Sequence, residues 1–236
     1  MFITQTGNGI VTQTENSIRL VVPQATVDTY SNAQIASYRR RDEITCVPPL
    51  RMTVIARYEG ELHGTAGFGF WNAPGLRLPQ ALWFFHASPP NNMALAKDVP
   101  GSGWKAATLD AKRWQFLALL PWAPVGFLLM RIPALYQQWW GIGQRAIGVS
   151  EVLLDNDLMK STHTYTLEWL PDEVRFLVDS ELMLQTRQSP CGKLGFIAWV
   201  DNQYAIVTPQ GRFGSGRVAA QNPQALILER IEIVAL

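Results

Sequence analysis

The chain has 236 residues, with 20 Lys or Arg against 19 Asp or Glu, so its formal net charge at pH 7 is +1. This balance argues against a nucleic-acid partner, because a protein that binds phosphates needs a surplus of cations. Hydrophobic residues make up 47% and charged residues 17%, which excludes a disordered chain because so much apolar surface offsets the entropy of ordering.

Length and cysteine content limit the class further. A chain above 200 residues is compatible with one all-β domain, and no internal repeat or linker divides residues 1–236, so we expect a single domain. Cys46 and Cys191 are too few for a disulfide framework or a Cys-rich metal site. The first residues carry neither the basic nor the apolar region of a signal peptide, so we expect a cytoplasmic protein.

Short strands separated by turns fill the first third of the chain. Residues 50–62 give the clearest strand, because Met52, Val54, Ala56 and Tyr58 alternate with more polar side chains. Such a pattern predicts one buried face and one wetter face, as in a sheet of a β-sandwich.

Two aromatic segments follow. Residues 64–71 combine glycines with Phe and Trp, and glycine within a strand marks a bulge or a close approach by another backbone or a ligand. Residues 79–86 are almost wholly apolar, which predicts a strand covered on both faces.

An uncharged stretch, residues 114–130, lies between Arg113 and Arg131. Two prolines and a glycine interrupt it, which argues against a membrane-spanning helix of about 20 apolar residues. The segment after Pro133 places its apolar residues on one side and predicts a short amphipathic helix. We therefore predict an insertion at residues 114–148, made of an apolar loop and a short helix.

The last third returns to short strands. Residues 164–170 and 173–179 are joined by Pro171-Asp172 and predict a β-hairpin. Residues 225–236 alternate apolar and charged side chains. Many short strands with regular turn signals favour a sandwich or jelly roll.

Several of these segments together resemble a known family. The pattern is strongest in His163-Thr-Tyr-Thr-Leu-Glu-Trp169, Pro171-Asp172 and Val174-Arg-Phe-Leu-Val-Asp179, and weaker in Tyr30–Ile35 and Arg57-Tyr-Glu59. In this order they resemble the concanavalin A-like lectin/glucanase superfamily, in particular the family 16 glycoside hydrolases. The resemblance implies an all-β, concanavalin A-like jelly-roll β-sandwich of two antiparallel sheets.

The catalytic carboxylates of that family have no counterpart in the expected place. In those hydrolases a strand carries Glu-x-Asp-x-(x)-Glu, because one carboxyl must protonate the leaving oxygen while a second, about 5–5.5 Å away in retaining enzymes, attacks the sugar carbon. The corresponding strand here is residues 80–86, and residues 64–97 contain neither Asp nor Glu. The resemblance therefore predicts the fold without the two-carboxylate glycosidase mechanism, and a fold alone does not establish a function.

Aromatic and polar strand residues make a candidate ligand site. We expect a glycan, or an apolar or glycosylated small molecule, to bind in the concave groove of the sandwich. The alternative is structural, since large rings also fill sandwich cores and Asp or Asn often forms turns. The candidate ligand-binding residues are Trp71, Trp83, Phe85, Trp199, Asn202, Gln203 and Tyr204.

An enzyme of non-hydrolytic chemistry is the alternative function, for instance a cyclase, isomerase or hydratase acting on an apolar substrate. Asp201 or Glu59 would then be the acid/base, and His86 would be a third candidate for proton transfer. Each also has a structural interpretation: a turn, a solvated strand face and a backbone-bonded histidine. The sequence leaves open whether the chain is an enzyme.

No cofactor or metal is predicted. Asp155 and Asp157 could contribute to a structural calcium site, but the segment lacks the spacing of a calcium loop. The three histidines are too scattered to indicate zinc.

The apolar insertion is expected to be covered, because soluble proteins rarely expose such a patch. Three alternatives remain: a lid over the groove, an interface in a homo-oligomer, or contact with a membrane surface by a peripheral protein. The candidate contact residues are Trp114, Trp122, Phe127 and Trp139.

Overall fold

The computed structural model describes residues 1–72 and 78–236. Within these residues the strands form two seven-stranded antiparallel sheets and a two-stranded ribbon. The strands are β1 (Phe2–Thr6), β2 (Ile10–Gln13), β3 (Ile18–Val22), β4 (Asn32–Ala36), β5 (Leu50–Glu59), β6 (Thr65–Trp71), β7 (Gln80–Ala87), β8 (Gly103–Asp110), β9 (Ser150–Leu153), β10 (His163–Trp169), β11 (Val174–Val178), β12 (Glu181–Thr186), β13 (Gly195–Asp201), β14 (Gln203–Val207), β15 (Phe213–Arg217) and β16 (Gln224–Ala235).

The two sheets pack face to face through an aromatic core. The first sheet has the order β1-β4-β13-β6-β7-β8-β9, the second β12-β11-β10-β5-β16-β3-β2, and β14 and β15 form the ribbon. Phe68 and Phe84 of the first sheet contact Tyr165 of the second, with ring centroids 5.2 and 5.1 Å apart. The predicted jelly-roll sandwich of two antiparallel sheets is confirmed.

Strand periodicity places the side chains as the sequence indicates. In β5, Met52, Val54 and Ala56 are completely buried, while the residues between them face outward. In β7, Leu82 and Phe84 face the core, and the side chains that alternate with them are also largely covered. A strand covered on both faces therefore explains the lack of polar alternation in this segment.

The insertion is helical throughout most of its length, so the prediction of an apolar loop at residues 114–130 was wrong. Pro121 and Pro124 lie in the first turn of a helical segment, where no backbone N–H partner is needed and proline is tolerated. The prolines therefore divide the stretch into short helices instead of ending helical structure. The helices are α1 (Trp114–Leu119), a 3₁₀ turn (Leu120–Trp122), α2 (Ala123–Leu129) and α3 (Pro133–Ala146).

A few contacts attach the insertion to the rest of the molecule. The indole N–H of Trp140 in α3 donates to the backbone oxygen of Leu95 at 3.0 Å. At the other end, Phe127 of α2 packs edge-on against Phe213 at the start of β15, with centroids 5.8 Å apart. No helix in the described part of the chain is both long enough and apolar enough to cross a bilayer.

Candidate functional site

An aromatic cluster lies on the outer face of the first sheet. It is centred on Trp83 of β7, whose ring centroid is 5.9 Å from that of Trp71, 5.6 Å from Phe85 and 5.7 Å from Trp199. The side chains come from β6, β7 and β13, which are neighbours in the sheet. The structure therefore brings together the four aromatic residues that sequence analysis proposed as ligand contacts.

The glycines of β6 allow this cluster to form. Gly67 pairs with both Trp199 and Phe85, and Gly69 pairs with Trp83, so both glycines lie directly between the ring-bearing strands. Strands β7 and β13 are two strand spacings apart, roughly 9.6 Å. Because neither glycine carries a side chain, the rings of Trp83 and Trp199 lean across β6 and meet.

Exposure divides the four rings into two groups. Trp71, Trp83 and Trp199 are half-buried and present part of their surface to solvent. Phe85 is only 3% exposed and packs in a small cluster with Met93. Three of the rings are therefore partly open to solvent, whereas Phe85 is covered by its neighbours.

Asp201 is joined to this cluster through Thr65. The Thr65 hydroxyl donates to Asp201 Oδ1 at 2.8 Å and accepts the indole N–H of Trp199 at 2.9 Å. The backbone N–H of Gln203 and the hydroxyl of Tyr30 also donate to the carboxylate, at 3.1 and 3.3 Å. Asp201 therefore fixes the orientation of Trp199 through one intervening hydroxyl.

The environment of Asp201 favours its protonated form. Its side chain is almost fully buried, and this burial raises the pKa to about 7, although the hydrogen bonds from Thr65, Gln203 and Tyr30 act in the opposite direction. Burial, together with the nearby Asp201 carboxylate, raises the pKa of Tyr30. The carboxyl group therefore changes its charge near neutral pH.

The polar residues after Asp201 have different positions. Asn202 is completely buried; its amide donates to three backbone carbonyls, and its side-chain oxygen accepts the Ser31 N–H at 2.8 Å. Because these bonds use both polar groups of the Asn202 side chain, its role is structural, and it does not face the aromatic cluster as a ligand contact. Gln203 is exposed and Tyr204 half-buried at the start of β14, at the end of the aromatic face.

The other two proposed acid/base residues lie elsewhere. Glu59 is on the outer face of the second sheet, ion-paired with Arg19 at 2.7 Å and Arg57 at 3.1 Å. His86 is on the side of β7 that faces the second sheet, and burial lowers its pKa to about 4. The structure therefore does not bring either residue together with Asp201.

A buried ion pair on the outer face was missed by the sequence analysis. Lys105 of β8 pairs in register with Phe85, and its Nζ lies 3.4 Å from Oε1 of Glu151, with side chains 0% and 5% exposed. The backbone N–H of Ala96 also contacts Glu151, at 3.4 Å. The available signal was a single lysine within the otherwise uncharged segment 103–109.

Burial acts against both charges of this pair. It lowers the pKa of Lys105 and raises that of Glu151, while the charge of each partner shifts the other back toward its ionised form. Glu151 on β9 is separated from Asp201 on β13 by four strand spacings, about 19 Å along the sheet. Paired glycosidase carboxylates lie about 5–9.5 Å apart, so these two cannot act as such a pair.

The aromatic residues proposed for the insertion lie on its own surface. Trp114, Trp122 and Trp139 are 72%, 68% and 44% exposed, and Phe127 packs against Phe213. The cover over Phe85 comes instead from the segment near Met93.

The acidic residues considered for calcium serve a local turn. Asp155 accepts the backbone N–H of Asp157 at 2.9 Å and caps the 3₁₀ helix Asn156–Met159, while Asp157 pairs with Lys160 at 2.6 Å. Residues 1–72 and 78–236 contain no group of three or more His, Cys, Asp or Glu side chains able to hold a metal.

Comparison with solved structures finds proteins of the same fold. The fold resembles the legume lectin-like domain from Entamoeba histolytica (TM-score 0.50, 7% identity, 97% of this chain and 88% of that one) and a GlcNAcα1-4Gal-releasing endo-β-galactosidase from Clostridium perfringens (TM-score 0.56, 12% identity, 98% of this chain and 57% of that one). A β-glucanase from Bacillus licheniformis is also similar (TM-score 0.48, 12% identity, 96% and 82%). The first two similarities, together with the two stacked antiparallel sheets, show that the chain has a concanavalin A-like jelly-roll fold.

The sequence match is narrower. A model of the family described as Glycosyl hydrolases family 16 matches residues 135–196. The match includes the hairpin of β10 and β11 that carries the strongest part of the pattern, so the resemblance to family 16 is confirmed over this region. No curated protein is similar enough in sequence to be counted as a relative.

The raised pKa of Asp201 predicts a pH-dependent stability. The carboxyl has an ordinary pKa of 3.8 when unfolded but about 7 in the fold, so the unfolded chain loses the proton first and the free energy of unfolding falls as the pH rises through this window. The total loss in the free energy of unfolding is at most about 4 kcal/mol, because each unit of difference between the two pKa values is worth about 1.36 kcal/mol. The Asp201→Asn variant lacks this term, so its difference from wild type in urea unfolding should change steadily between about pH 4 and about pH 7.

The exposed Asp28 provides the control for that measurement. Asp28→Asn removes one surface carboxylate, and so shows what the loss of a negative charge alone does to the free energy of unfolding. His86, whose pKa is lowered to about 4, makes stability fall with acid instead, but it does so equally in all three proteins. A pH-independent difference for Asp201→Asn would contradict the assignment.

A double-mutant cycle tests the buried Lys105–Glu151 pair. Lys105→Met leaves a carboxylate buried without its partner and should lower the free energy of unfolding by about 3–5 kcal/mol, whereas Lys105→Met with Glu151→Leu should cost much less. The exposed pair Arg230–Glu232, treated in the same way, should show a coupling of about 0–1 kcal/mol. Additive losses at Lys105 and Glu151 would show that the two side chains are not coupled.

Proposed function

We propose that the protein binds a glycan on the outer face of the first sheet. The observation that carries this proposal is the meeting of Trp71, Trp83 and Trp199, all half-buried, above the glycines of β6. A ligand site typically combines aromatic surface with a few well-placed polar groups. Aromatic rings in this arrangement offer flat apolar surface to the C–H faces of sugar rings.

Walls beside the aromatic face support a bounded site. The segment after β7 is fixed to the ribbon, because the backbone N–H of Asn92 donates to the Ala205 oxygen at 3.0 Å and the Asn91 side chain accepts the Ala205 N–H at 2.8 Å. The same segment continues through Met93 over Phe85. A sugar chain on the tryptophans would therefore meet a wall on the side of β8 and β9.

Asp201 and Thr65 act as positioning residues in this proposal. The hydrogen-bond chain from Asp201 through the Thr65 hydroxyl to the indole of Trp199 holds one ring at a fixed angle. A ring held in advance loses less conformational freedom when a ligand binds. The carboxylate therefore contributes to affinity without contacting the reacting atoms of a substrate.

Binding without hydrolysis fits the distribution of carboxylates. The segment 64–97, which includes β6 and β7, contains no Asp or Glu, and the buried carboxylates of the outer face, Asp201 and Glu151, are too far apart to act together. The proteins of similar fold include a legume lectin-like domain and a GlcNAcα1-4Gal-releasing endo-β-galactosidase. These names favour a glycan as the ligand class, and the lack of Asp and Glu in residues 64–97 favours recognition over cleavage.

A second candidate function uses Asp201 as an acid/base in non-hydrolytic chemistry. It is favoured by the pKa of about 7, which is suited to proton transfer at neutral pH. Glu59 does not contribute to this candidate, because it is ion-paired on the other sheet. For this function, Asp201→Asn would abolish turnover of a substrate, whereas Thr65→Val would only reduce it.

Affinity electrophoresis and calorimetry with mixed-linkage β-glucan, laminarin and agarose oligosaccharides test the binding proposal. Trp83→Ala and Trp199→Ala should each weaken binding by about tenfold, or about 1.4 kcal/mol. Thr65→Val should weaken binding less, because this substitution removes the hydroxyl that orients Trp199 but leaves the indole ring in place. Trp114→Ala, on the insertion and 72% exposed, is the matched control and should bind as wild type does.

The same samples decide between binding and cleavage. Incubation with these glycans should release no reducing ends above the buffer blank. Reducing-end release by wild type at ordinary enzyme rates, or equal loss of binding in Trp114→Ala and Trp83→Ala, would overturn the proposal.

A further inference from the structure

The three helices of the insertion expose an apolar surface that the glycan proposal does not use. No residue of α1 or α2 is buried, and α3 buries only Trp140 and Ala146. This is unusual, because a helix normally buries its apolar stripe against the rest of the protein. The large apolar side chains most exposed here are Trp114 (72%), Trp122 (68%), Leu128 (61%), Val125 (51%), Ile132 (49%) and Leu117 (46%).

A cavity between the helices belongs to the same surface. It measures about 500 Å³, and every residue that lines it is apolar. Its walls include Phe116 of α1, Val125 of α2 and Ile142 of α3, of which Val125 and Ile142 are also exposed to solvent. The small hydrophobic core of the insertion is therefore incomplete and connects with the exposed face.

The charged residues within the insertion have one sign, and an acid from outside it, Asp98, accepts from the Gln137 amide of α3 at 3.5 Å. Between Asp110 and Glu151 the charged residues are Lys112, Arg113, Arg131 and Arg145, with no acid among them. In the described part of the chain none of the four forms an ion pair.

These cations lie at both ends of the helices. The Arg113 guanidinium donates to the Arg145 backbone oxygen at 3.2 Å, which places both residues where α1 begins and α3 ends. Arg131 lies at the opposite end, between α2 and α3, and donates to the Gln210 backbone oxygen at 3.3 Å. An apolar face bordered by cations at both ends complements an anionic phospholipid surface.

The charges also argue against a second copy of the chain as the occupant. A symmetric dimer through this face would bring the same residues together from both subunits. The four cations would then approach one another without a compensating acid from the insertion. A bilayer instead supplies acyl chains for the tryptophans and phosphate or carboxylate groups for the cations.

We propose that the insertion docks in the interface of an anionic phospholipid bilayer, with its exposed tryptophans and leucines at the level of the acyl chains. The helices lie in the plane of the interface, since α3, the longest, has 14 residues, or about 21 Å, against the roughly 30 Å of a hydrocarbon core. The cavity between the helices receives part of an acyl chain. Lys112, Arg113, Arg131 and Arg145 remain at the headgroups.

Vesicle flotation of the full chain tests this proposal. We expect wild type to float with phosphatidylcholine/phosphatidylserine vesicles, to float much less with phosphatidylcholine alone, and to be released by high salt, because salt shortens the screening length to about 3 Å at 1 M. Trp122→Ser with Leu128→Ser should lower partitioning about tenfold or more. Lys112→Gln with Arg145→Gln should lower it only for the anionic vesicles.

Matched controls separate docking through the insertion from a general effect of removing apolar surface. Val27→Ser with Leu182→Ser removes two apolar side chains of similar exposure (57% and 50%) from other surfaces and should leave flotation unchanged. The melting temperature of each variant checks that it is folded. Flotation that is unaffected by Trp122→Ser with Leu128→Ser would overturn the proposal.

Light scattering after gel filtration tests the alternative occupant. If wild type is a dimer that becomes a monomer in Trp122→Ser with Leu128→Ser, and neither protein floats, the surface is a subunit interface and the membrane proposal is wrong. A monomeric wild type that floats with anionic vesicles supports it. Because the substituted residues lie outside the aromatic cluster of the first sheet, glycan binding should be unchanged in these variants.

Discussion

The alternation of side chains along β7 is the constraint on which the site depends. Leu82 and Phe84 are drawn into the core between the sheets, where Phe84 packs against Tyr165 and Phe176. Once these rings are buried, a strand geometry with a period of two forces Trp83 onto the outer face. The stability of the sandwich and the position of the proposed glycan site therefore come from the same residue pattern.

The neighbouring strand turns these separate side chains into a surface. Rings on β7 and β13 would normally stand two strands apart, but the glycines of β6 leave the space between them empty, so Trp83 and Trp199 meet. Polar groups then surround the cluster: Asp201 acts through Thr65, and Lys105 forms a buried pair with Glu151. Buried polar groups of this kind favour a single arrangement of the rings, because any other arrangement would leave a buried polar atom without its hydrogen-bond or ion-pair partner.

The insertion differs from the sandwich in how little of its apolar surface is buried. The two sheets bury their apolar faces against each other. In contrast, no element among residues 1–72 and 78–236 buries a residue of α1 or α2, and a cavity lies between these helices and α3. The two surfaces to which we assign interactions therefore differ in how they are built. One is an aromatic face rigidly supported by a sheet, and the other is an apolar, cationic face on helices that contact the sandwich at few points.

The sequence determined the strands, the sandwich and the hairpin of β10 and β11, because strand periodicity and turn residues are local signals. It also indicated the four aromatic residues as a set, but neither the face of the sheet on which they lie nor the fact that they meet. Only the tertiary structure decided the rest: which carboxylate lies beside the rings, that Glu59 is on the other sheet, and that Lys105 meets Glu151 across 46 residues of chain. Such pairings depend on strand order and register, which join distant segments and leave no periodic trace in the sequence.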